Sequence, residues 1–507
     1  MASDFTLRDV ALVPCADAAT GGRDLTFRAG RLVRLGPPLP GTRPRLYLTP
    51  GFWDAHVHML HVGLSRQRLD LGAAHSLEEA LALLRAYVDE HPDRGVVWAE
   101  GWDDHAWPER RPPERTEIDA VVADRPVIFR RVCGHLAVLN SRALEEAALR
   151  WPGLECTGLL TEERAMSLAA LWPPTPDARE RALLDAQSAA LAMGIVRVGE
   201  MGSAGALDAY LGLLKKDALQ LDVDLFVKPS QIELALQLQA EGWLGQGYLH
   251  LGGVKVFADG SIGARTAALR EPYADRETCG ELLLADEELA AILARCAEAR
   301  LPLAVHAIGD AAIEQVLRIL EQRVASAAGD DIGTVSLEHA ELIDETQIAR
   351  AAELGVRLSL QPNFIARWGE AGGLYEQALG RERWERCNPW RAMLAAQTAL
   401  CFGSDGMPQD PALGLRGAVG HPNESSRLTP EEALAVYVGL ADERWRTWQE
   451  RDVWSLGLDG FVLYEADPLR LVDGDLTRAP ISGVLRRGEW LAAPPANLRR
   501  WGLVHDD

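Results

Sequence analysis

From residue 48 onward, short apolar runs alternate with segments whose apolar residues recur at helical spacing. One such helical pattern, "DEELAAILARCAEA", precedes the apolar run "LPLAVHAIG". Alternation of this kind is typical of a parallel α/β architecture. Eight strands with intervening helices predict a (β/α)8 TIM-type barrel rather than an open sheet. The eight strand-like runs cover residues 48–56, 194–201, 219–228, 252–260, 301–309, 334–340, 356–363 and 398–405.

The two ends of the chain have a different pattern. Residues 5–49 and the tail from about residue 445 consist of short β segments separated by Gly and Pro turns. We therefore expect residues 1–47 and 445–507 to form one small composite β-sandwich domain outside the barrel. The barrel itself is then expected to span residues 48–444.

The stretch between the first two barrel strands is too long for an ordinary connection. Loops between a strand and a helix usually contain ~2–6 residues, whereas here about residues 62–190 intervene. This stretch has strand-like pieces of its own, "GVVWAEGW" and "RPVIFRRVCG". We expect it to form an inserted subdomain over the mouth of the barrel.

Composition and charge narrow the range of partners. The 507 residues carry a formal net charge of −22, which argues against nucleic acid and anionic membranes because both favour basic patches. No apolar run approaches the ~20 residues that span a bilayer, and "MASDFTLRDVALVPC" lacks the features of a signal peptide. The seven cysteines are scattered and never spaced C-x-x-C, which predicts reduced thiols in a cytoplasmic protein. The expected partner is a small-molecule substrate, and the sequence leaves open whether the chain forms a homo-oligomer.

Two histidines lie at the end of the first strand, in "GFWDAHVHML". Residues i and i+2 of a strand point to the same face, so His56 and His58 would aim both imidazoles at one point. In a barrel, the carboxyl ends of the strands are where active sites are built. Taken alone, the pair is about as consistent with two turn histidines at the surface as with a metal site.

Three more polar residues end later apolar runs and favour the metal site. His306 in "LAVHAIGD" and His339 in "SLEHAEL" are 33 residues apart, and Asp405 in "LCFGSD" follows after a further 66. These spacings are close to one and two βα units. Imidazole and carboxylate are ligands that zinc and similar ions favour.

Lys255 in "GGVKVFADG" lies among apolar residues, where an unpaired ammonium group is costly to bury. One interpretation is a lysine whose head reaches solvent, or one paired with an acid such as Asp259. The neighbouring histidines allow another interpretation. A lysine carboxylated by carbon dioxide becomes an anionic carbamate that can bridge two divalent cations.

The motifs of the barrel resemble a known family. The sequence is similar to the amidohydrolase superfamily, and most of all to its amidohydrolase family 3 branch, which includes N-substituted formamide deformylase-like proteins. The inserted stretch and the segment "RLTPEEALAVYVGLA" also resemble that branch. The barrel segments that carry the resemblance are "PGFWDAHVH", "VKVFADGSIGARTAAL", "VHAIGDAAIEQVL", "LEHAELI" and "FGSDGMP".

The resemblance implies a metal-dependent hydrolase with one or two divalent ions per chain, zinc foremost. His56 and His58 would bind the more buried ion, and Lys255, as a carbamate, would bridge to the second. Asp405 would contact the first ion and move protons during catalysis. The implied metal ligands are His56, His58, Lys255, His306, His339 and Asp405.

The sequence departs from the family pattern in two places. The second strand ends in "VGEM", where a related sequence often carries Asp, so the sequence leaves open whether Glu200 reaches the site. The tail "GLDGFVLYEADPL" differs from the usual Gly-x-x-Ala-Asp run. This difference concerns the composite β domain rather than the site motifs.

Three further residues are candidates for substrate contact: Arg265, His135 and Trp102. Arg265 follows Lys255 in a glycine-containing loop and could meet a substrate oxygen, although a surface salt bridge is the simpler interpretation. His135 belongs to the insertion and could equally be structural. Trp102 could wall the pocket, whereas aromatic residues of an insertion more often form its own core.

The function that these residues predict is hydrolysis of a non-peptide C–N bond in an amide-like or formamide-like small molecule. Metal-activated hydroxide would attack the carbonyl, and Asp405 would shuttle the proton. The alternatives are deamination, or ester or lactone hydrolysis, by the same metal barrel, and a metal-binding barrel without catalysis. Retention of every implied ligand counts against the last alternative.

Overall fold

The structure is a computed structural model. Two compact units are present, Met1–Met59 with Ala186–Asp507, and Leu60–Asp185. The structure describes residues 5–13, 22–28, 31–36, 46–93, 95–104, 107–131, 136–151, 153–154, 157–161, 164–165, 167–245, 247–326, 334–439, 460–472, 475–476, 478–486 and 489–492.

Strands from both ends of the chain lie in one seven-stranded sheet. The N-terminal strands are β1 (Phe5–Leu12), β2 (Arg23–Arg28), β3 (Arg31–Leu35) and β4 (Leu46–Pro50). The parallel pair β1–β4 lies at the centre, and β4 also pairs antiparallel with the C-terminal strand β18 (Gly460–Tyr464). The sheet continues through β21 (Ile481–Arg486) to β22 (Glu489–Ala492), in the order β22-β21-β18-β4-β1-β2-β3. A separate two-stranded ribbon joins β19 (Leu471–Val472) and β20 (Asp475–Leu476).

The Leu60–Asp185 unit contains a five-stranded sheet with a buried cluster of apolar side chains on each side. The strand order is β10-β9-β8-β7-β6, with β6 to β8 parallel and the rest antiparallel. The strands are β6 (Leu69–Asp70), β7 (Val97–Trp102), β8 (Val127–Arg131), β9 (Leu136–Leu139) and β10 (Leu159–Thr161). The helices that begin or end in this unit are α1 (Met59–Arg66), α2 (Leu77–Glu90), α3 (Arg115–Asp119), α4 (Ser141–Ala148) and α5 (Pro176–Ala192), with a 3-10 turn at Ser167–Ala170.

The other unit contains eight parallel strands in sequential order, which confirms the predicted α/β barrel. Each predicted apolar run overlaps one of these strands. The first run also covers part of β4, and Gly51 separates β4 of the composite sheet from the first barrel strand. The barrel strands are β5 (Phe52–Val57), β11 (Ile195–Met201), β12 (Asp222–Val227), β13 (Leu249–Phe257), β14 (Leu303–Ala307), β15 (Val335–His339), β16 (Arg357–Leu360) and β17 (Ala399–Phe402).

Helices connect the barrel strands, as the helical patterns predict. Two 3-10 turns, at Pro229–Gln231 and Glu424–Ser426, accompany them. No described helix is both long and apolar enough to cross a membrane. The helices are α6 (Ala206–Lys215), α7 (Ile232–Ala240), α8 (Asp286–Ala299), α9 (Asp310–Ser326), α10 (Glu345–Glu353), α11 (Pro362–Trp368), α12 (Leu374–Leu379), α13 (Arg381–Arg386), α14 (Trp390–Ala395), α15 (Pro411–Val419) and α16 (Pro430–Tyr437).

The chain after β17 is tied to β5, and this contact positions the site. The Asp405 backbone N–H donates to the His56 carbonyl at 2.8 Å, and the Ser404 N–H donates to Asp54 Oδ1 at 2.7 Å. Gly403 allows this approach, because a Cβ there would lie 2.5 Å from the His56 nitrogen. The first and last strands of the barrel therefore bring their polar ends together.

Candidate metal centre

The six predicted metal ligands all lie at or near the carboxyl ends of barrel strands. His56 and Lys255 lie near the ends of β5 and β13, and His306 and His339 lie in β14 and β15. His58 directly follows β5, and Asp405 follows β17. Because parallel strands of a barrel end at the same face, this placement brings the side chains to one mouth.

Asp405 is the point at which several of these side chains meet. One ligand atom each from His56, His339 and Asp405 lie within 4.8 Å of one another. Asp405 Oδ1 lies 3.6 Å from His56 Nε2 and 3.4 Å from His58 Nε2. The His306 ring lies 4.5 Å from the His339 ring, measured between centroids.

The hydrogen bond of His56 fixes which of its nitrogens faces Asp405. His56 Nδ1 lies 2.7 Å from Glu338 Oε2, and a carboxylate accepts hydrogen bonds. The proton of the neutral ring is therefore on Nδ1, which leaves a lone pair on Nε2. Burial keeps the pKa of His56 well below its ordinary value, so the ring is neutral at physiological pH. A lone pair and a carboxylate oxygen thus face each other, an arrangement that a cation between them stabilises.

His306 and His339 are also held by their surroundings. His306 Nε2 donates to the Gly260 carbonyl at 2.8 Å, which leaves the Nδ1 lone pair of a neutral ring available. His339 stacks on Phe364 at 5.9 Å between ring centroids, and its buried Nδ1 has no hydrogen-bond partner among the described residues. An orphaned buried nitrogen of this kind is consistent with a missing ligand.

Two of the candidate ligands have left-handed backbones. The φ angle is +76° at His339 and +54° at Asp405. For residues other than glycine this conformation costs of order 1–3 kcal/mol, and it concentrates at functional sites.

Lys255 is 3% exposed, and its Nζ has no hydrogen-bond partner in the described part of the chain. Burial lowers its pKa to about 8, against the opposing effects of Glu338, Asp405 and Asp259. The carboxylate of Asp259 instead accepts backbone N–H groups of Ala268, Ile308 and Gly309 at 2.8–3.0 Å. The amine is therefore buried, easily deprotonated and without a close ion-pair partner in the described structure.

This donor set fits a divalent cation. Four imidazoles and one carboxylate surround a small region, and a carbamate on Lys255 would add anionic oxygens. These are the nitrogen and oxygen donors that suit zinc and related ions. The orphaned Nδ1 of His339 and Nζ of Lys255 are the observations that favour a bound cation most directly.

Sequence reasoning missed Glu338, a buried carboxylate that contacts the site through His56. Its two oxygens contact His56 Nδ1 at 2.7 Å and the Ser336 hydroxyl at 2.6 Å. The available signal was an acidic residue inside the apolar run "TVSLEHA", because a buried charge needs a partner.

Glu200, whose role the sequence left open, connects to the site through a serine. It is fully buried in β11, and its Oε1 accepts the Ser203 hydroxyl at 2.6 Å. The same Ser203 oxygen lies 3.2 Å from His58 Nδ1. Glu200 is therefore connected to the candidate ligand His58 indirectly, through the hydroxyl of Ser203.

The predicted substrate contacts have other surroundings. Arg265 forms an ion pair with Asp275 and donates to backbone carbonyls, so its guanidinium is engaged as in the salt-bridge interpretation. Trp102 is fully buried in the core of the Leu60–Asp185 unit and stacks on Trp107 at 5.7 Å between ring centroids. His135 lies outside the described residues.

Comparison with known proteins gives a consistent result. A sequence profile of the amidohydrolase family matches residues 46–443, which include all six candidate ligands. YtcJ, an amidohydrolase candidate of Bacillus subtilis (strain 168), is 28% identical over 420 residues, which cover 77% of each chain. The N-substituted formamide deformylase of Arthrobacter pascens is 24% identical over 488 residues, covering 87% of this chain and 88% of that enzyme. A metal-dependent hydrolase of Pyrococcus furiosus superposes with a TM-score of 0.74 at 26% identity, covering 92% of this chain and 99% of that one.

Proposed function

The chain belongs to the amidohydrolase family of metal-dependent hydrolases, and on that premise we propose that it cleaves a non-peptide C–N bond of a small amide or formamide. The observation that carries the proposal is the position of Asp405 Oδ1 beside two histidine nitrogens. It lies 3.6 Å from His56 Nε2 and 3.4 Å from His58 Nε2. This arrangement would hold a cation next to a group able to exchange protons.

The candidate ligands would hold the cations as two groups. His56 and His58 would hold one ion, and His306 and His339 would hold a second. Lys255 would supply a further anionic ligand as a carbamate. When bound, a divalent ion of this kind polarises a carbonyl and lowers the pKa of water towards ~7.

Zinc is the proposed ion, and the carbamate is the proposed state of Lys255. Imidazole nitrogens and oxygen donors are ligands that zinc favours. The lowered pKa of Lys255, about 8, leaves an appreciable fraction of its amine neutral near physiological pH, and the neutral amine is the form that reacts with carbon dioxide.

Asp405 is the proposed proton carrier. Burial raises the pKa of its carboxyl to about 7, although the positive charge of Lys255 opposes the shift. A buried carboxylate beside the reacting water can accept a proton from it and return that proton later. Asp405 takes the proton of the attacking water and returns it to the departing nitrogen, since an unprotonated amide nitrogen is a poor leaving group.

Two observations support the proposed substrate class: the similarity to a relative, and an exposed aromatic side chain near the ends of the barrel strands. The relative is the N-substituted formamide deformylase, whose similarity extends over 87% of this chain. Near the metal-binding residues, Phe257 is 45% exposed and its ring lies 5.2 Å from that of His306. An exposed aromatic side chain at this position suits a substrate with an apolar substituent on nitrogen.

The test is turnover by metal-depleted protein before and after zinc is restored. The substrate panel contains N-substituted formamides, acylated amines and cyclic amides, each with an ester or lactone of matched shape, together with aminated heterocycles. We expect zinc-dependent release of amine from at least one amide or formamide. Turnover confined to esters, lactones or ring deamination would favour the other reactions of the same barrel. Zinc binding without turnover of any compound would favour a non-catalytic metal protein.

A further inference from the structure

We propose that two buried glutamates, Glu338 and Glu200, are positioning residues that fix the ring tautomers of His56 and His58, so that both Nε2 lone pairs face one cation. The inference rests on the proposed metal centre. It assigns a role to two residues outside the implied ligand set.

Glu338 acts on His56 directly. The two side chains are 2% and 1% exposed, and Glu338 Oε2 accepts the Nδ1 proton of His56 at 2.7 Å. The Ser336 hydroxyl donates to the other carboxylate oxygen at 2.6 Å, which holds the Glu338 side chain in place. With its proton held on Nδ1, the neutral His56 ring has its lone pair on Nε2.

Glu200 acts on His58 through Ser203. A serine hydroxyl has one proton, and the Ser203 hydroxyl donates it to Glu200 Oε1 at 2.6 Å. Towards His58 Nδ1, at 3.2 Å, the same oxygen can therefore only accept. The proton of a neutral His58 ring is then on Nδ1, and its Nε2 has the lone pair.

The two sets of hydrogen bonds produce the same result from two different strands of the barrel. Strand β11, which carries Glu200, pairs directly with β5, and Glu338 belongs to β15, further along the sheet. Both Nε2 atoms lie within 3.6 Å of Asp405 Oδ1. The alternative tautomer of either ring would place an N–H, rather than a lone pair, in the cation site.

This arrangement gives a role to Glu200, which stands at the end of the second strand where a related sequence often carries Asp. A glutamate at position 200 reaches the hydroxyl of Ser203, three residues later, and through it a ligand ring. Hydrogen-bond partners behind metal ligands typically change metal affinity or activity by about 10–100-fold when they are removed.

The test measures zinc affinity of metal-depleted protein by competition with a chromophoric chelator. The variants are Glu338→Ala, Glu338→Gln and Ser203→Ala. The matched control is Glu341→Gln, a glutamate that is 3% exposed and bonds to Asn388 rather than to a candidate ligand. We expect about 10–100-fold weaker zinc binding in Glu338→Ala, a smaller loss in Glu338→Gln because its amide oxygen still accepts, and a loss in Ser203→Ala. Zinc affinity of the control is expected to stay within about twofold of wild type.

A second readout separates positioning from general loss of structure. With 15N-labelled histidine, the ring nitrogen shifts of metal-free wild type should report Nδ1–H tautomers for His56 and His58, assigned by single His→Asn variants. Glu338→Ala should move only the His56 signal towards the other tautomer, and Ser203→Ala only that of His58. A purely structural role would leave both tautomers unchanged.

The outcomes distinguish the two proposals. If wild-type protein binds no zinc, the proposed function fails. If wild type binds zinc, and Glu338→Ala and Ser203→Ala bind it equally tightly with unchanged tautomers, the inference alone is overturned. Should Glu338→Ala not fold, Glu338→Gln and Ser203→Ala decide the question, because each must bind zinc more weakly than Glu341→Gln for the inference to stand.

Discussion

At the scale of single residues, Asp405 combines a fixed backbone with a side chain suited to proton transfer. Its N–H is bonded to the His56 carbonyl, and its φ angle is +54°. The position of its carboxylate is therefore set by the closing contact of the barrel rather than by side-chain contacts alone.

Replacement of Asp405 by Asn should abolish turnover while metal content stays near wild type. The amide has the size of the carboxylate and keeps one oxygen, but it cannot take up the proton of the attacking water. Loss of a general acid–base typically lowers kcat by about 100- to 10,000-fold. Steady-state kinetics and metal analysis of the same preparation check this, with Asp286→Asn, at the start of α8, as the control. Retained activity in Asp405→Asn would remove this residue from the proton transfer.

Replacement of Lys255 by Met should lower the number of bound ions. Methionine fills a similar buried volume but cannot form a carbamate. We expect the wild type, reconstituted with zinc and bicarbonate, to hold two ions per chain and Lys255→Met at most one. Elemental mass spectrometry of both proteins measures the ratio, and Lys228→Met, at an exposed position, is the control. A single ion in the wild type would contradict the bridging role and favour a mononuclear site.

The sequence was more informative for the candidate ligands than for the residues that contact those ligands. His56, His306 and Asp405 share a simple signal, a polar residue at the end of an apolar run. Glu338 and Ser203 act through contacts between strands that are far apart in sequence, and spacing alone does not predict such contacts. Arg265 has a partner, Asp275, that no motif in the sequence indicates.

At the scale of elements, α9 and α10 are joined by a network of charged side chains. Arg350 of α10 contacts Glu314 at 2.7 Å and Glu321 at 2.6 Å, both on α9. Hydrogen bonds from Arg350 are the largest effect on both carboxyls and hold their pKa values below the ordinary range.

Replacement of Arg350 by Met should destabilise the protein in a pH-dependent way. The folded-state pKa values of Glu314 and Glu321 are depressed, so their contribution is present above the unfolded value and is lost as pH falls. Because Glu321 is 41% exposed, solvent screening limits the expected loss to about 1 kcal/mol at pH 7. Urea unfolding at several pH values measures the difference from wild type, which should shrink below about pH 4.5. A difference independent of pH would indicate lost packing rather than lost charge interactions.

Element prediction succeeded where the pattern was long and apolar. Each of the eight predicted runs overlaps a barrel strand, because strands buried in a barrel need continuous apolar sequence. The break at Gly51 was not predicted, since the apolar run continues from β4 into β5 although the two strands belong to different sheets. The short helices α11 to α14 were not predicted either, because segments of six or seven residues are too short for a periodic pattern.

At the scale of the whole molecule, a buried ion pair connects the composite sheet to the barrel. Arg486 of β21 pairs with Asp222 at the start of β12, and the two side chains are 1% and 14% exposed. The guanidinium also donates to the Gln220 carbonyl and lies 4.3 Å from the centroid of the Tyr248 ring.

Replacement of Arg486 by Met should lower the free energy of unfolding by about 3–5 kcal/mol, because it leaves a largely buried Asp222 without this partner. The matched control is Arg478→Met. That arginine is 64% exposed and pairs with Asp410 at 3.3 Å, so its loss should cost at most about 1 kcal/mol. Urea unfolding of both variants checks the contrast. Equal losses in the two variants would mean that the buried pair does not hold the composite sheet to the barrel.

The barrel and the candidate metal centre were easier to predict from the sequence than the substrate. Motifs along one chain predict a barrel and a metal centre, since both depend on strand ends in sequential order. The substrate depends on the shape of the pocket, which spacing does not describe. The surroundings of Phe257 and Phe364 illustrate this, because neither residue belongs to a recognisable substrate motif.

The most direct test of the proposed two-ion zinc centre is anomalous X-ray scattering from crystals of the zinc-loaded protein, recorded above and below the zinc edge. We expect one peak among His56, His58 and Asp405, and a second near His306 and His339, with extra density on Lys255 between them. Zinc-specific density only at other positions, with none at these residues, would contradict it.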